Sequence, residues 1–356
     1  MLPYYLLVLA PPAISYLLCS RQQDKKRRIV MSMLLFFAGY LLLLCLRDIS
    51  IGVDNRNYSH IFEQIADLKW DKLADVEMEQ GFVFLNKLVS TFTEDYQLLI
   101  SVISMIAVVP MAIFYVKESE SSFLAIALFI GIAPFSMYFS GLRQILAIAF
   151  VFPVYYCAKH KKPLLFILLV LAAMLFHKSA FIMFIIYPIF HIKITPNKML
   201  ILAPAILFIY IFNESIFGFL LRIMGDKYEE QYGELQATGA IMMIVLFAIL
   251  VFFAFVIPEE DKMEKETVGL RNMLVICLVL QLFSPVSTVA MRMNYYFLPF
   301  VPVLIPKIIN RSKQQYRQVA MLATAVLVLF FVIRFFFTAS TGADILQIFP
   351  YKFYFE

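Results

Sequence analysis

Arg143 lies in the run MYFSGLRQILAIAF, Met137 to Phe150, with apolar stretches on both sides of its guanidinium. An ionisable group in such surroundings is expensive and marks a candidate functional position. Arginine's planar fork matches phosphate oxygens two at a time and stays charged at any relevant pH. Other reactive side chains stand far apart in the chain: Arg47, Asp54, Asn57, Tyr58 and Glu79, then Gln144, His177, and Arg292 with Tyr295 and Tyr296. Of these, His177, Asp54 and Glu79 can take up a proton, and an unperturbed imidazole titrates near about 6.5, best suited to the task. Plainer readings stand beside these. Arg143 can pin two helices as an ion pair, Arg47 and Asp48 can snorkel at a span end, and His177 can be a satisfied interior histidine. Trp70, Tyr295 and Tyr296 fit an interfacial aromatic belt, and Arg56, Glu63 and Asp67 read as solvated loop charges.

The elements that position these groups follow from composition. Of 356 residues, 62% are hydrophobic and 15% charged, and the mean hydropathy is +0.83. Soluble domains carry about a quarter charged residues, so the chain reads as an all-α, polytopic integral membrane protein with one membrane-embedded domain, 1–356. The first apolar stretch has no basic residue before it and the cluster Arg21–Arg28 behind it. That order predicts an uncleaved helix with its N-terminus outside. A net charge of +5 in short loops excludes nucleic acid as a partner. Cys19, Cys45, Cys157 and Cys277 stand alone in apolar segments, and the four histidines form no HExxH pattern. Neither a disulfide framework nor a zinc site is expected, and no Walker-type loop is present.

Apolar spans can be drawn at 2–19, 29–46, 96–116, 121–139, 143–158, 163–176, 179–192, 198–213, 239–257, 270–284, 293–309 and 318–338. Several fall short of the roughly 20 residues that cross a bilayer, so the expectation is 10 to 12 transmembrane helices. Basic loops at 21–28, 158–162, 191–198 and 307–317 then share one side, the cytoplasm, and both termini lie outside. The long excursions 47–95 and 214–238 fall on the opposite face, the first with the catalytic candidates, while the acidic stretch 258–267 falls on the cytoplasmic side. Residues 163–192 would make a helix of about 45 Å if unbroken, too long without heavy tilt. Two short limbs meeting at HKSA, below the outer surface and lining a cavity, are expected instead.

Five motifs occur in order: R-x4-G-x-D-x3-Y (Arg47, Gly52, Asp54, Tyr58), E-x-G with a nearby LN (Glu79, Gly81, Leu85, Asn86), SGLRQ-x2-A, FHKSA, and R-x2-YYF from Arg292 to Phe297. Together they resemble the EpsG-type branch of the Wzy bacterial polysaccharide polymerases across about residues 40–300. One departure is Asn55, where a threonine is expected after the aspartate. The tail ADILQIFPYKFYFE carries no readable signal.

The resemblance implies a GT-C-like membrane glycosyltransferase that polymerises undecaprenyl-diphosphate-linked oligosaccharide repeat units for O-antigen, capsule or exopolysaccharide. It would work at the outer face of the bacterial cytoplasmic membrane, facing the periplasm or exterior, with inversion and without a metal or cofactor. The donor and acceptor lipids and the bilayer are the implied partners, with flippase and chain-length regulator proteins beside them. On this reading Arg143 and Arg292, with Arg47 third, hold the diphosphate, whose developing negative charge needs fixed cations. No DxD-type acidic cluster accompanies them. His177, ahead of Asp54 and Glu79, is the base, while Gln144, Asn57, Tyr58, Tyr295 and Tyr296 bind sugar. A ligase or single-sugar transferase would use the same arginines, and a lipid-linked oligosaccharide flippase would bind the diphosphate without chemistry.

Overall fold

A computed structural model describes residues 2–18, 25–132, 135–224, 240–341 and 344–356. Among the described residues the chain is helical, with two isolated β-bridges, Arg47 to Phe353 and Pro258 to Ser312, and no strand. The all-α, polytopic membrane class expected from composition is what folds. Four helical stretches are long and apolar enough to cross a membrane: Lys25–Cys45, Tyr96–Glu118, Leu142–Lys159 and Gln314–Thr338. A fifth is the pair Pro196–Ile211 and Asn213–Phe219, bent by 77°, and shorter apolar helices accompany them. Of the excursion 214–238, the beginning continues the helix Asn213–Met224, and 225–239 lie outside the described residues.

Two compact units divide the chain, Met1–Phe184 with Val326–Glu356, and Ile185–Ala325. In the first, α1 (Leu2–Leu18) and α5 (Tyr96–Glu118) pack against α2 (Lys25–Cys45), and α3 (Asn55–Asp67) pairs with α4 (Gln80–Ser90) in the first loop. Rings of Tyr4, Phe36, Phe37, Tyr40, Tyr115, Phe129 and Phe135 fill the centre, largely edge to face. Such contacts contribute about 0.5–1.5 kcal/mol each beyond burial, and the Tyr40 hydroxyl is satisfied by donating to the Phe135 carbonyl at 2.7 Å. The first loop has its own small core of Ile65, Leu73 and Val83. Lys87 Nζ adds a bond to the Ala66 carbonyl at the end of α3, 2.8 Å.

After α6 (Ser122–Gly131) and a 3-10 turn at Ser136–Phe139, α7 (Leu142–Ala149) and α8 (Val151–Lys159) form one apolar span interrupted at Phe150. Pro153 explains the interruption, because it has no N–H to bond the Ala149 carbonyl. Arg143 therefore sits in the first turn of this span rather than between two halves of it. α9 (Pro163–Met174) ends before a turn at Leu175–His177, and a 3-10 helix follows at Lys178–Ile185. The long apolar run thus breaks at the HKSA sequence.

In the second unit, α10 (Ile186–His191) and α13 (Ala240–Val256) pack on α14 (Lys265–Gln281), while α11 (Pro196–Ile211), which leads into α12 (Asn213–Met224), has no buried residue. The helix α14 starts five residues earlier than hydropathy suggests, because its first turns are held by charge. Arg271, fully buried, pairs with Glu260, donates to the Ile194 carbonyl at 2.8 Å and lies over the Phe255 ring. Glu264 meets Arg311 at 3.0 Å and Glu266 meets Lys307 at 3.2 Å. The acidic stretch 258–267 is thus neutralised by the basic stretch that the sequence places on the same side.

Candidate active site

The chain enters the first loop through a turn that requires glycine. Gly52 has φ +100, and a Cβ there would lie 2.0 Å from the Phe139 carbonyl oxygen. Close approach at this point lets Asp54, just before α3, meet Ser140 twice: the Asp54 N–H donates to Oγ at 3.2 Å, and Ser140 Oγ donates to Oδ2 at 2.9 Å. The first motif is thereby fastened to the SGLR turn that carries Arg143. Asn55, the departure from the expected threonine, is buried and donates through Nδ2 to the Ile51 carbonyl. Asp54 and Asn57 are exposed, and Tyr58 is buried.

A second glycine places Glu79. The Gly81 N–H donates to the Leu175 carbonyl at 2.8 Å, and a Cβ on Gly81 would lie 2.7 Å from that oxygen. The first turn of α4 is thus pressed against the turn after α9. Glu79 then bridges two nitrogen-bearing side chains with separate oxygens: Oε2 accepts from Arg143 Nη1 at 2.7 Å, and Oε1 lies 3.2 Å from His177 Nδ1. The Lys178 N–H also donates to Oε1 at 3.3 Å, and the Tyr58 hydroxyl lies 3.5 Å from Arg143 Nε. Side-chain exposure is 9% for Glu79 but 32% for Arg143 and 22% for His177. The carboxylate is the inner member, and the guanidinium and the imidazole each keep a face open to a ligand.

Electrostatics follow from that arrangement. Burial alone pushes the Glu79 carboxyl up, but the hydrogen bond with His177 and the charge of Arg143 outweigh it and lower it from 4.5 to about 2. A carboxylate held this far down is a weak base and a strong partner. With the carboxylate ionised, the His177 proton belongs on Nδ1, leaving Nε2 as the acceptor. Because the folded value lies below the ordinary one, the ionised group stabilises the fold fully above about pH 4.5, and that contribution is lost as pH falls through about 2. In detergent, wild-type protein is expected to lose its thermal-stability advantage over Glu79→Gln across that window; a difference constant with pH would count against the ionised bridge.

The remaining expected site residues are placed differently. Arg47 is fully buried; Nη1 donates to the Leu44 carbonyl and lies 3.5 Å from Ser104 Oγ, with the Phe139 ring 5.9 Å from the guanidinium carbon. A phosphate reaches it only if this packing opens. Gln144 is 3% exposed, on the inner face of α7. Arg292, Tyr295 and Tyr296 belong to the second unit. Arg292 is exposed near the end of α15 (Thr288–Asn294), Tyr295 is half-buried, and Tyr296 is fully buried. Their turn is held by Asn294, whose Nδ2 donates to the Cys277 carbonyl and to Gln281 Oε1, each at 3.1 Å. Ser140 was not among the expected residues, although it stands in the SGLRQ motif; a hydroxyl two residues before a turn's helix is a signal that could have found it.

No curated protein and no solved structure shows a significant match to the chain. A family model, the EpsG family, matches residues 30–353, nearly the whole length, so the chain belongs to the EpsG family, a membership that supports a polysaccharide-polymerase-like function in the broad sense.

Proposed function

We propose that the chain is a GT-C-like glycosyltransferase of the bacterial cytoplasmic membrane that polymerises undecaprenyl-diphosphate-linked repeat units on the outward face. The bridge from Glu79 to Arg143 and His177 carries this reading: a fork for phosphate and an oriented imidazole stand on one carboxylate. In the reaction, the acceptor hydroxyl gives its proton to His177 Nε2 as its oxygen bonds the donor's anomeric carbon. The bond from that carbon to the diphosphate oxygen breaks, and the polyprenyl diphosphate leaves with the electron pair. A single displacement of this kind inverts the anomeric configuration. Arg143 meets the charge that grows on the leaving group, as pre-oriented donors do for developing anions. Glu79 fixes the imidazole and stabilises it once protonated.

Asn57 and Tyr58, on α3 beside this group, are the proposed sugar contacts, together with Tyr295, while Gln144 and Tyr296 meet a sugar only if their packing opens. Arg292 is proposed as a further phosphate ligand on residue chemistry alone. Asp54 is the alternative base, since its carboxylate is exposed beside Ser140. Fixed guanidinium charge takes the role that a metal plays in other transferases. Purified protein in liposomes with a synthetic lipid-linked repeat unit should yield a ladder of longer lipid-linked products. Absence of the ladder would refute polymerisation, and movement of labelled lipid between leaflets without it would identify a flippase.

A further inference from the structure

The C-terminal segment Asp344–Glu356 runs along the start of the first loop, more than 290 residues away in sequence, and holds it at two places. At the far end Arg47 and Phe353 form an antiparallel bridge, with the Asp48 N–H donating to the Lys352 carbonyl and the Tyr354 N–H to the Leu46 carbonyl, both at 3.0 Å. At the near end the Gly52 N–H donates to the Gln347 carbonyl and the Val53 N–H to the Leu346 carbonyl, again at 3.0 Å. Gly52 and Val53 immediately precede Asp54, so these bonds fix the backbone from which Asp54 reaches Ser140.

Two phenols pin the segment to the unit's core. The Tyr4 hydroxyl donates to the Ile348 carbonyl at 2.7 Å, and the Tyr351 hydroxyl donates to the Leu43 carbonyl at 2.8 Å. What aims Leu346 and Gln347 at the loop is Asp344. Its Oδ1 accepts the Leu346 N–H at 3.1 Å, and its Oδ2 accepts those of Ile348 and Phe349. Gln347 inside this turn has φ +54, a left-handed conformation uncommon for a residue other than glycine. A carboxylate gathering successive N–H groups is the kind of device that holds such a turn.

We infer that Asp344 is a positioning residue for the active site, acting through a C-terminal strap that sets Gly52, Asp54 and the SGLR turn behind Arg143. The effect on turnover rests on the polymerase reading; the effect on the loop does not. Asp344→Ala should lower turnover about fivefold with the KM for lipid-linked donor changed less than about twofold. On a background without the native cysteines, a disulfide formed in Asp344→Ala carrying Val53→Cys and Leu346→Cys should restore turnover, and its reduction should abolish the rescue. A spin label at exposed position 56 (Arg56→Cys) should become more mobile in Asp344→Ala. Wild-type turnover with unchanged label mobility, or a slow variant that the disulfide leaves slow, would overturn the inference. Were wild-type protein itself to make no polymer, the polymerase reading would fail, and label mobility alone would decide the strap.

Discussion

On the proposed mechanism, Arg143→Lys is expected to lower polymerisation at least about tenfold while the protein still inserts and folds, and Arg143→Ala to lower it on the order of 10²–10³. The reason is geometric. Arg143 gives Nη1 to Glu79 at 2.7 Å and turns Nε toward Tyr58 at 3.5 Å. A planar fork can keep the carboxylate on one arm and present other N–H groups to a diphosphate. An ammonium keeps the charge but cannot serve both partners in fixed directions, so the lysine variant separates charge from shape. Glu79 is only 9% exposed, and removing Arg143 takes the partner from Oε2 of a nearly buried carboxylate, which is why the alanine variant needs a folding control. Product ladders on gels read the result. Wild-type chain lengths and rates from Arg143→Lys would remove Arg143 from the leaving group and return it to the role of a helix-pinning ion pair.

How much of this was readable in the sequence depends on the range of the interaction. Hydropathy gave the class and the positions of most apolar helices, four of which are long enough to cross, or five with the bent pair, because an apolar run near the length of a bilayer crossing has few alternatives. The break at HKSA was readable from length alone. The interruption at Phe150 is marked by Pro153 alone, since the residues on both sides are equally apolar. The motifs named Glu79, Arg143 and His177, yet not that one carboxylate joins them. That pairing spans 64 residues to Arg143 and 98 to His177 and leaves no periodic trace. Gly81 was a hint, because a glycine at the start of a helix is idle unless another backbone comes close, as Leu175 does.

Burial was the least readable property. Arg47 stands at the end of an apolar span, where snorkelling and full burial look alike in sequence, and it is fully buried. Tyr296, expected to meet sugar, is buried while its neighbour Tyr295 is partly open. The C-terminal tail was silent for a different reason: it holds the first loop through main-chain groups, and every residue type carries those. Only Asp344 and the two tyrosines mark it, and single polar residues near a terminus draw no attention.

Replacing His177 has the other large effect, and it separates the three possible bases. Glu79 is held at about 2 by its partners, so it has little affinity for a hydroxyl proton, and on the proposed mechanism it orients the imidazole. Asp54 is exposed but already accepts a hydrogen bond from Ser140. His177 alone combines a carboxylate on Nδ1 with partial exposure. His177→Ala should therefore lower turnover about 10²–10⁴-fold and remove the acid limb from the pH–rate profile. Glu79→Gln should cost about 10–100-fold, through the imidazole and through Arg143 together. Because Glu79 acts on catalysis partly through His177, the double variant should be only a few-fold slower than His177→Ala, far from the product of the two losses. Full activity in His177→Ala with an intact acid limb would transfer the base to Asp54, and Asp54→Asn would then be the variant that abolishes the limb. Multiplying losses would show instead that Glu79 works through Arg143, as the counter-charge that a departing diphosphate must displace.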